Sequence, residues 1–255
     1  TIAGVGTVLL ASDGSYTFTP DADWNGTVPA ITYTLSDGEG GSDTADLVIT
    51  VDPVNDAPVA SGTIADQSDD DAGVVAGVAT SSFFSDIDGD VLGYSASGLP
   101  AGLSIDPVTG VISGTIDNSA SQGGPASDGV YSVTVTADDG NGGTVDQTFT
   151  WTVANPAPVA NDDAASTDED VAVSGNVIGS GGAGDVADSD ADGDMLSVTT
   201  FVVAGDPATY NAGDTATIAG VGTVLLASDG SYTFTPDADW NGTVPAITYT
   251  LSDGE

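Results

Sequence analysis

The 255 residues include 39 Asp and Glu and no Lys, Arg, His or Cys, giving a formal net charge of −39. That balance excludes nucleic acid and anionic lipid surfaces as partners, because both are held through Lys and Arg. It also excludes thiol chemistry, disulfide staples and any catalytic apparatus built on a basic side chain, so no catalytic residue is assigned and the chain reads as no enzyme.

In chain order, residues 1–53 alternate apolar and Thr positions: Tyr16 and Phe18 against Thr17 and Thr19, then Ile31, Tyr33 and Leu35 against Thr32 and Thr34. Leu47, Ile49 and Val51 continue the pattern, which is that of half-buried antiparallel strands. Asp13-Gly14 between alternating runs predicts a hairpin turn. The Pro- and Asn-bearing segment Val51–Val59, VDPVNDAPV, reads as a semi-rigid linker. Residues 54–157 repeat the strand signature at Tyr131, Val133 and Val135 and at Phe149, Trp151 and Val153, and end in a second linker, VANPAPV. Trp151 shares the inward phase of Phe149, which predicts a core tryptophan rather than a sugar platform. Trp24 and Trp240, in the DADWNGT turns, are expected as core plugs or lids.

Residues 1–39 recur unchanged at 217–255. That offset matches two sandwich domains of about 100 residues each, so the repeating unit is a pair of unlike modules. Three bodies follow: residues 1–53 as the rear part of one module type, 54–157 as a complete second type, and 158–255 as the first type again without its last strand. The sequence of that strand stands at residues 40–51. No long 3.6-residue period and no apolar run of membrane-spanning length occurs, so the expected fold class is all-β, as tandem antiparallel Greek-key sandwiches. Thr1 opens inside a strand-like pattern, as in an excerpt from a longer array.

With no basic side chain to balance them, the clustered carboxylates call for a dissolved cation, and calcium is the candidate because it takes six to eight oxygens from flexible loops. The first cluster is Asp86, Asp88 and Asp90 in SDIDGDVLGYS; its counterpart is Asp188, Asp190, Asp192 and Asp194 in DSDADGDMLSV. The second begins like an EF-hand loop, but Thr199 stands where that loop needs its closing Glu. Linker residues Asp52, Asn55 and Asp56, with Asp37 and Asp43 or Asp138 and Asp139 from the turn before a last strand, are expected to complete the coordination at the first cluster. Glu169, in TDEDV, offers a similar set for the next joint. The second linker lacks the Asp pair of the first, which predicts less calcium there.

SDGEGGSDTADLVITVDPVNDAPV resembles the end of a cadherin repeat, and DIDGDVLGYS and DADGDMLSV are similar to the metal-binding segment of the repeat that follows. YSASGLPAGLSIDPVTGVISGT (Tyr94 to Thr115) resembles the dystroglycan-type cadherin-like (Putative-Ig) module of bacterial surface proteins. The flanking module resembles the VCBS-type repeats of giant adhesins of the RTX class. The resemblance implies Ig-like sandwiches, calcium at the joints, neighbouring repeats as partners, and an extracellular place on a bacterial cell surface, where the repeats extend a distal adhesion domain in biofilm or cell contact. Two further readings of the same residues are glycan-binding modules and a filament subunit assembled by strand donation.

Overall fold

The computed structural model describes residues 1–179 and 186–255. Apart from two single 3-10 turns, every regular element among them is a β-strand. The cause is local: alternating Val, Ile, Phe and Tyr against Thr present one apolar and one hydroxylated face, and Gly-rich turns recur every few residues.

In residues 54–157 two sheets face each other. One orders Gly93–Ser97, Val130–Asp138, Thr144–Ala154 and Gln67–Asp70, with the last pair parallel; the other orders Leu103–Ile105, Val111–Thr115 and Val74–Ala79. Ile112, Val133, Val135 and Trp151, each 0% exposed, fill the space between. The Trp151 indole N–H donates to Asp69 Oδ2 at 3.0 Å, so the buried ring leaves no unpaired donor.

In residues 158–255 the first sheet orders Val173–Asn176, Ser231–Pro236, Gly222–Leu226 and Thr215–Ile218. The second orders Thr209–Asn211, Ser197–Val203 and Ile247–Ser252. Phe201, Val198, Val224 and Leu226 make the core. Trp240 packs edge-on against Phe234 and over Gly242, as Trp24 does against Phe18 and over Gly26. Both rings are half-buried lids on an apolar interior.

The N-terminal copy shows what the front half of this module contributes. Gly6–Leu10 pairs with Tyr16–Pro20, and Ile31–Ser36 pairs with Ser42–Leu47. Leu10 is 39% exposed, whereas the identical Leu226 is 2% exposed. The difference comes from Val173–Asn176, Ser197–Val203, Thr209–Asn211 and Thr215–Ile218, which complete the two sheets around the second copy.

Candidate metal centres at the module joints

At the first joint the loop after Ser85 turns at Gly89, whose φ of +80° suits glycine. Asp86 Oδ1 accepts the backbone N–H of Asp88 at 2.8 Å and of Asp90 at 3.3 Å. Carboxylate oxygens of Asp86, Asp88 and Asp90 thereby lie within 4.8 Å of one another. The linker closes on them: the Asp56 N–H donates to Asp88 Oδ2 at 2.8 Å, and the Asn55 amide donates to Asp139 Oδ2 at 2.9 Å. The Asn141 amide reaches Asp90 Oδ2 at 2.7 Å. Asp139 is 5% exposed and its carboxyl is held below the usual range, chiefly by Asn55. Asp86 Oδ2 is buried and has no hydrogen-bond partner.

The second joint is built from the same parts. The Asp192 N–H donates to Asp190 Oδ1 at 3.1 Å, and the Asn155 amide donates to Asp253 Oδ2 at 3.2 Å, so Asn155 and Asp253 repeat the roles of Asn55 and Asp139. The preceding module also takes part here. Asn118 donates to Asp194 Oδ1 at 3.2 Å, and the Ser121 hydroxyl donates to Glu255 Oε2 at 2.8 Å. The Ser121 N–H donates to Asp71 Oδ1 at 2.9 Å, and Asp71 is 4% exposed. Asp71 Oδ2, Asp190 Oδ2, both oxygens of Asp192 and Asn155 Oδ1 are all buried without a partner.

Electrostatics agree with that crowding. Burial, then Asp190 and Asp194, push the Asp192 carboxyl up to about 6. Burial, then Glu255, Asp190, Asp253 and Asp71, raise that of Asp194. Two carboxylates roughly 5 Å apart repel by about 3 kcal/mol at an effective dielectric of 20, before solvent and salt screening reduce it. Buried acceptor oxygens with no donor are satisfied by a hard cation, and the donor set here, carboxylate and amide oxygen alone, is that of calcium.

Asp37 and Asp43 stand elsewhere than the sequence reading placed them, and Asp138 serves its own turn. Asp37 accepts the N–H groups of Glu39 and Gly41, Asp43 that of Thr44, and Asp138 that of Gly140. The turn of Asp37 lies at the start of the strand that leads into the linker, roughly 30 Å of extended chain away. The hairpin turn therefore faces the preceding joint, and Asp139, not Asp37, meets Asn55. Asp52 lies in the extended linker between Val51 and Val59. Asp188 is withdrawn from the second cluster: its oxygens accept the Asn161 N–H at 2.7 Å and the Tyr249 hydroxyl at 3.0 Å. Glu169 accepts from Asn241 at 3.4 Å, away from the second joint.

Sequence reasoning missed Asp71, Asn141, Asn155, Asp253 and Glu255. The signal was present in the repeat: Asp253 copies Asp37 and aligns with Asp139. Asp71 also corresponds to Glu169, each preceding a left-handed residue, Ala72 at φ 55° and Asp170 at φ 67°. At the second joint Asp71, Asp190, Asp253 and Glu255 surround Asp194, although the linker there offers no carboxylate of its own.

No curated protein matches the chain. Among solved structures, a protocadherin gammaB7 EC3-6 cis-dimer is 15% identical, with a TM-score of 0.41, and the match covers 98% of this chain and 62% of that one. Human protocadherin-24 EC1-2 is 20% identical at a TM-score of 0.33, covering 78% of this chain and 86% of that one. An α-galactosidase/melibiase-type protein from Bacteroides fragilis is 20% identical at a TM-score of 0.29, covering 40% of this chain and 19% of that one. The chain thus spans about a fifth of the length of that first relative. The Putative Ig domain family matches residues 57–154, and the bacterial cadherin-like domain family matches residues 1–53 and 155–255. The second of these covers well over half of the molecule, and the chain belongs to the bacterial cadherin-like domain family.

Proposed function

We propose that these modules are calcium-stiffened spacer repeats of a secreted bacterial surface adhesin, which hold a distal binding domain away from the cell. The observation that carries the reading is the second joint. Carboxylates from two modules and an amide from the linker between them meet there, with buried unpartnered oxygens and no basic side chain in the chain to balance them. Asp71 on one side and Asp190, Asp192, Asp194 and Asp253 on the other would hold the ion, with Asn155 from the linker. Asp86, Asp88, Asp90, Asp139 and Asn55 would do so at the first joint. A bound divalent cation supplies the positive charge that the chain lacks.

The residues themselves set the consequence. Without neutralisation, Asp71 and the Asp190–Asp194 loop repel across the joint and the hinge opens. When neutralised, the same groups pin the two modules at a fixed angle. Extracellular calcium modules bind with dissociation constants of about 10⁻⁴ to 10⁻³ M, and a hundredfold excess of ligand adds about 2.7 kcal/mol per site. The joint is therefore loose at cytosolic calcium and stiff outside the cell. Small-angle scattering of the 255-residue protein, titrated with calcium against chelator, tests this. Lengthening and stiffening with calcium is expected, and an unchanged maximum dimension at millimolar calcium overturns it.

A further inference from the structure

Asn is followed by Gly at three places, Asn25-Gly26, Asn141-Gly142 and Asn241-Gly242. In such a pair the backbone nitrogen after Asn approaches the amide carbon unhindered, because glycine carries no side chain. The fold decides which of the three can react. Gly26 and Gly242 are packed against the rings of Trp24 and Trp240, which lie 3.6 and 3.2 Å from where a Cβ would stand, and Gly26 is also held in a ladder opposite Val51. Gly142 is exposed and has nothing within 4 Å of the same position. Among the described residues its N–H meets no backbone carbonyl. It stands at φ +108° in the turn between Val130–Asp138 and Thr144–Ala154.

Asp139 Oδ1 accepts the Asn141 N–H at 2.7 Å and the Gly143 N–H at 2.9 Å, which curls this turn so that the Asn141 amide donates to Asp90 Oδ2 at 2.7 Å. The other module type forms the same turn with a carboxylate in that place. Asp37 Oδ1 accepts the Glu39 N–H at 2.8 Å and the Gly41 N–H at 2.9 Å. Gly38 and Gly40, at φ +78° and +104°, repeat Gly140 and Gly142 at +76° and +108°. Glu255, the copy of Glu39, faces Asp194 closely enough to raise that carboxyl, just as Asn141 faces Asp90. One joint has a carboxylate where the other has an amide.

We propose that Asn141 deamidates spontaneously in the folded chain, so that the first joint acquires with time the carboxylate that the second has from the start. The Gly142 nitrogen attacks Asn141 Cγ, and the new N–Cγ bond closes a five-membered imide. The Cγ–Nδ2 bond breaks, and ammonia leaves with the proton of the Gly142 N–H. Water then opens the imide at either carbonyl to give aspartate or isoaspartate, and both products carry a carboxylate. The only co-reactant is water. An anion then stands beside Asp90 in place of the amide that donated to it, so the metal-free turn loses a hydrogen bond and gains a repulsion. With a cation at the joint, the same carboxylate is an added ligand. That second consequence rests on the joint being a calcium site; the reaction at Asn141 does not.

The test ages the intact chain at neutral pH and maps its peptides by mass spectrometry. Folded, Asn141 is expected to exchange its amide nitrogen for oxygen while Asn25 and Asn241 keep theirs; in denaturant all three should convert. Equal conversion of the three in the folded chain, or an Asn141 that converts only in denaturant, overturns the proposal. Asn141→Asp supplies the aspartate product at once, and Asn141→Gln keeps an amide that cannot close the five-membered ring. In a calcium titration Asn141→Asp should bind about tenfold more tightly than fresh parent at the first joint. Aged parent should drift toward that value, whereas Asn141→Gln should give the same value fresh and aged. In chelator the middle module of Asn141→Asp should unfold earlier than that of the parent. Calcium binding by the parent with no tightening in Asn141→Asp overturns the proposed consequence alone. A parent that binds no calcium overturns the spacer reading, and the mass measurement still decides the deamidation.

Discussion

Replacing Asp192 by Asn should act in opposite directions with and without calcium. In the folded, metal-free joint the Asp192 carboxyl is pushed up to about 6 from its ordinary 3.8, first by burial and then by Asp190 and Asp194. A raised carboxyl favours the protonated native state, so this group costs nothing below about pH 4, increasingly more between about pH 4 and 6, and its full amount above about 6. A shift of about two units corresponds to ~3 kcal/mol, and solvent screening at a half-exposed loop brings it to about 1–2 kcal/mol. The asparagine amide carries no charge, so at pH 7 in chelator the Asp192→Asn protein should unfold later than the parent by a few degrees, read by calorimetry. In calcium the same substitution removes an anionic ligand and should weaken binding by tenfold or more, read by titration calorimetry. Loss of metal-free stability, or an unchanged calcium affinity, would refute the assignment of Asp192 to a cation site.

The same shift predicts a pH dependence: in chelator the joint gains stability from pH 7 to 5, whereas calcium affinity falls over that interval because protons and the cation compete for the Asp190–Asp192 pair. Carbon-detected NMR of the Asp192 carboxyl reads the midpoint directly. Asn55→Ala removes the donor that reaches Asp139 at 2.9 Å and should cost about 1–3 kcal/mol at the first joint, seen as a lower unfolding midpoint of the middle module. Trp151→Ala should cost about 3–5 kcal/mol by emptying a fully buried site, measured by denaturant unfolding. Gly222→Ala should destabilise by several kcal/mol, because φ is +155° and a Cβ would collide with the Thr235 carbonyl oxygen.

The fold was largely legible because its cause is periodic. Alternation at Ile31–Ser36 and Phe149–Val153 announces strands with one apolar face, and the unchanged copy at 217–255 divides the chain into modules. The individual clusters were legible too, since Asp86, Asp88 and Asp90 lie within five residues of one another. What was not legible is which end of a sandwich each loop reaches. Asp37 and Asp139 occupy equivalent turns, yet only a three-dimensional sheet order shows that such turns face the joint behind them. Asp71 was hidden for a related reason: its neighbours Asp69 and Asp70 make DDD look like a solvated run, while the left-handed turn at Ala72 buries Asp71 alone. Asp188 was misleading in the opposite sense, because spacing places it with Asp190, but Tyr249 and Asn161 take up its oxygens.

The two joints should differ in affinity, and the second should be the tighter. Linker composition argues otherwise, since Asp56 of the first linker is Pro156 in the second. The folded arrangement outweighs that loss. Asp139 and Asn141 at the first joint become Asp253 and Glu255 at the second, which exchanges an amide for a carboxylate, and Asp71 adds another from the preceding module. Calcium affinity in such loops rises with ligand charge and rigidity. A calcium titration of the intact chain should therefore show two phases. Asp253→Asn should remove the tighter phase and Asp139→Asn the weaker. If Asp139→Asn abolishes the tighter phase instead, linker composition governs affinity after all.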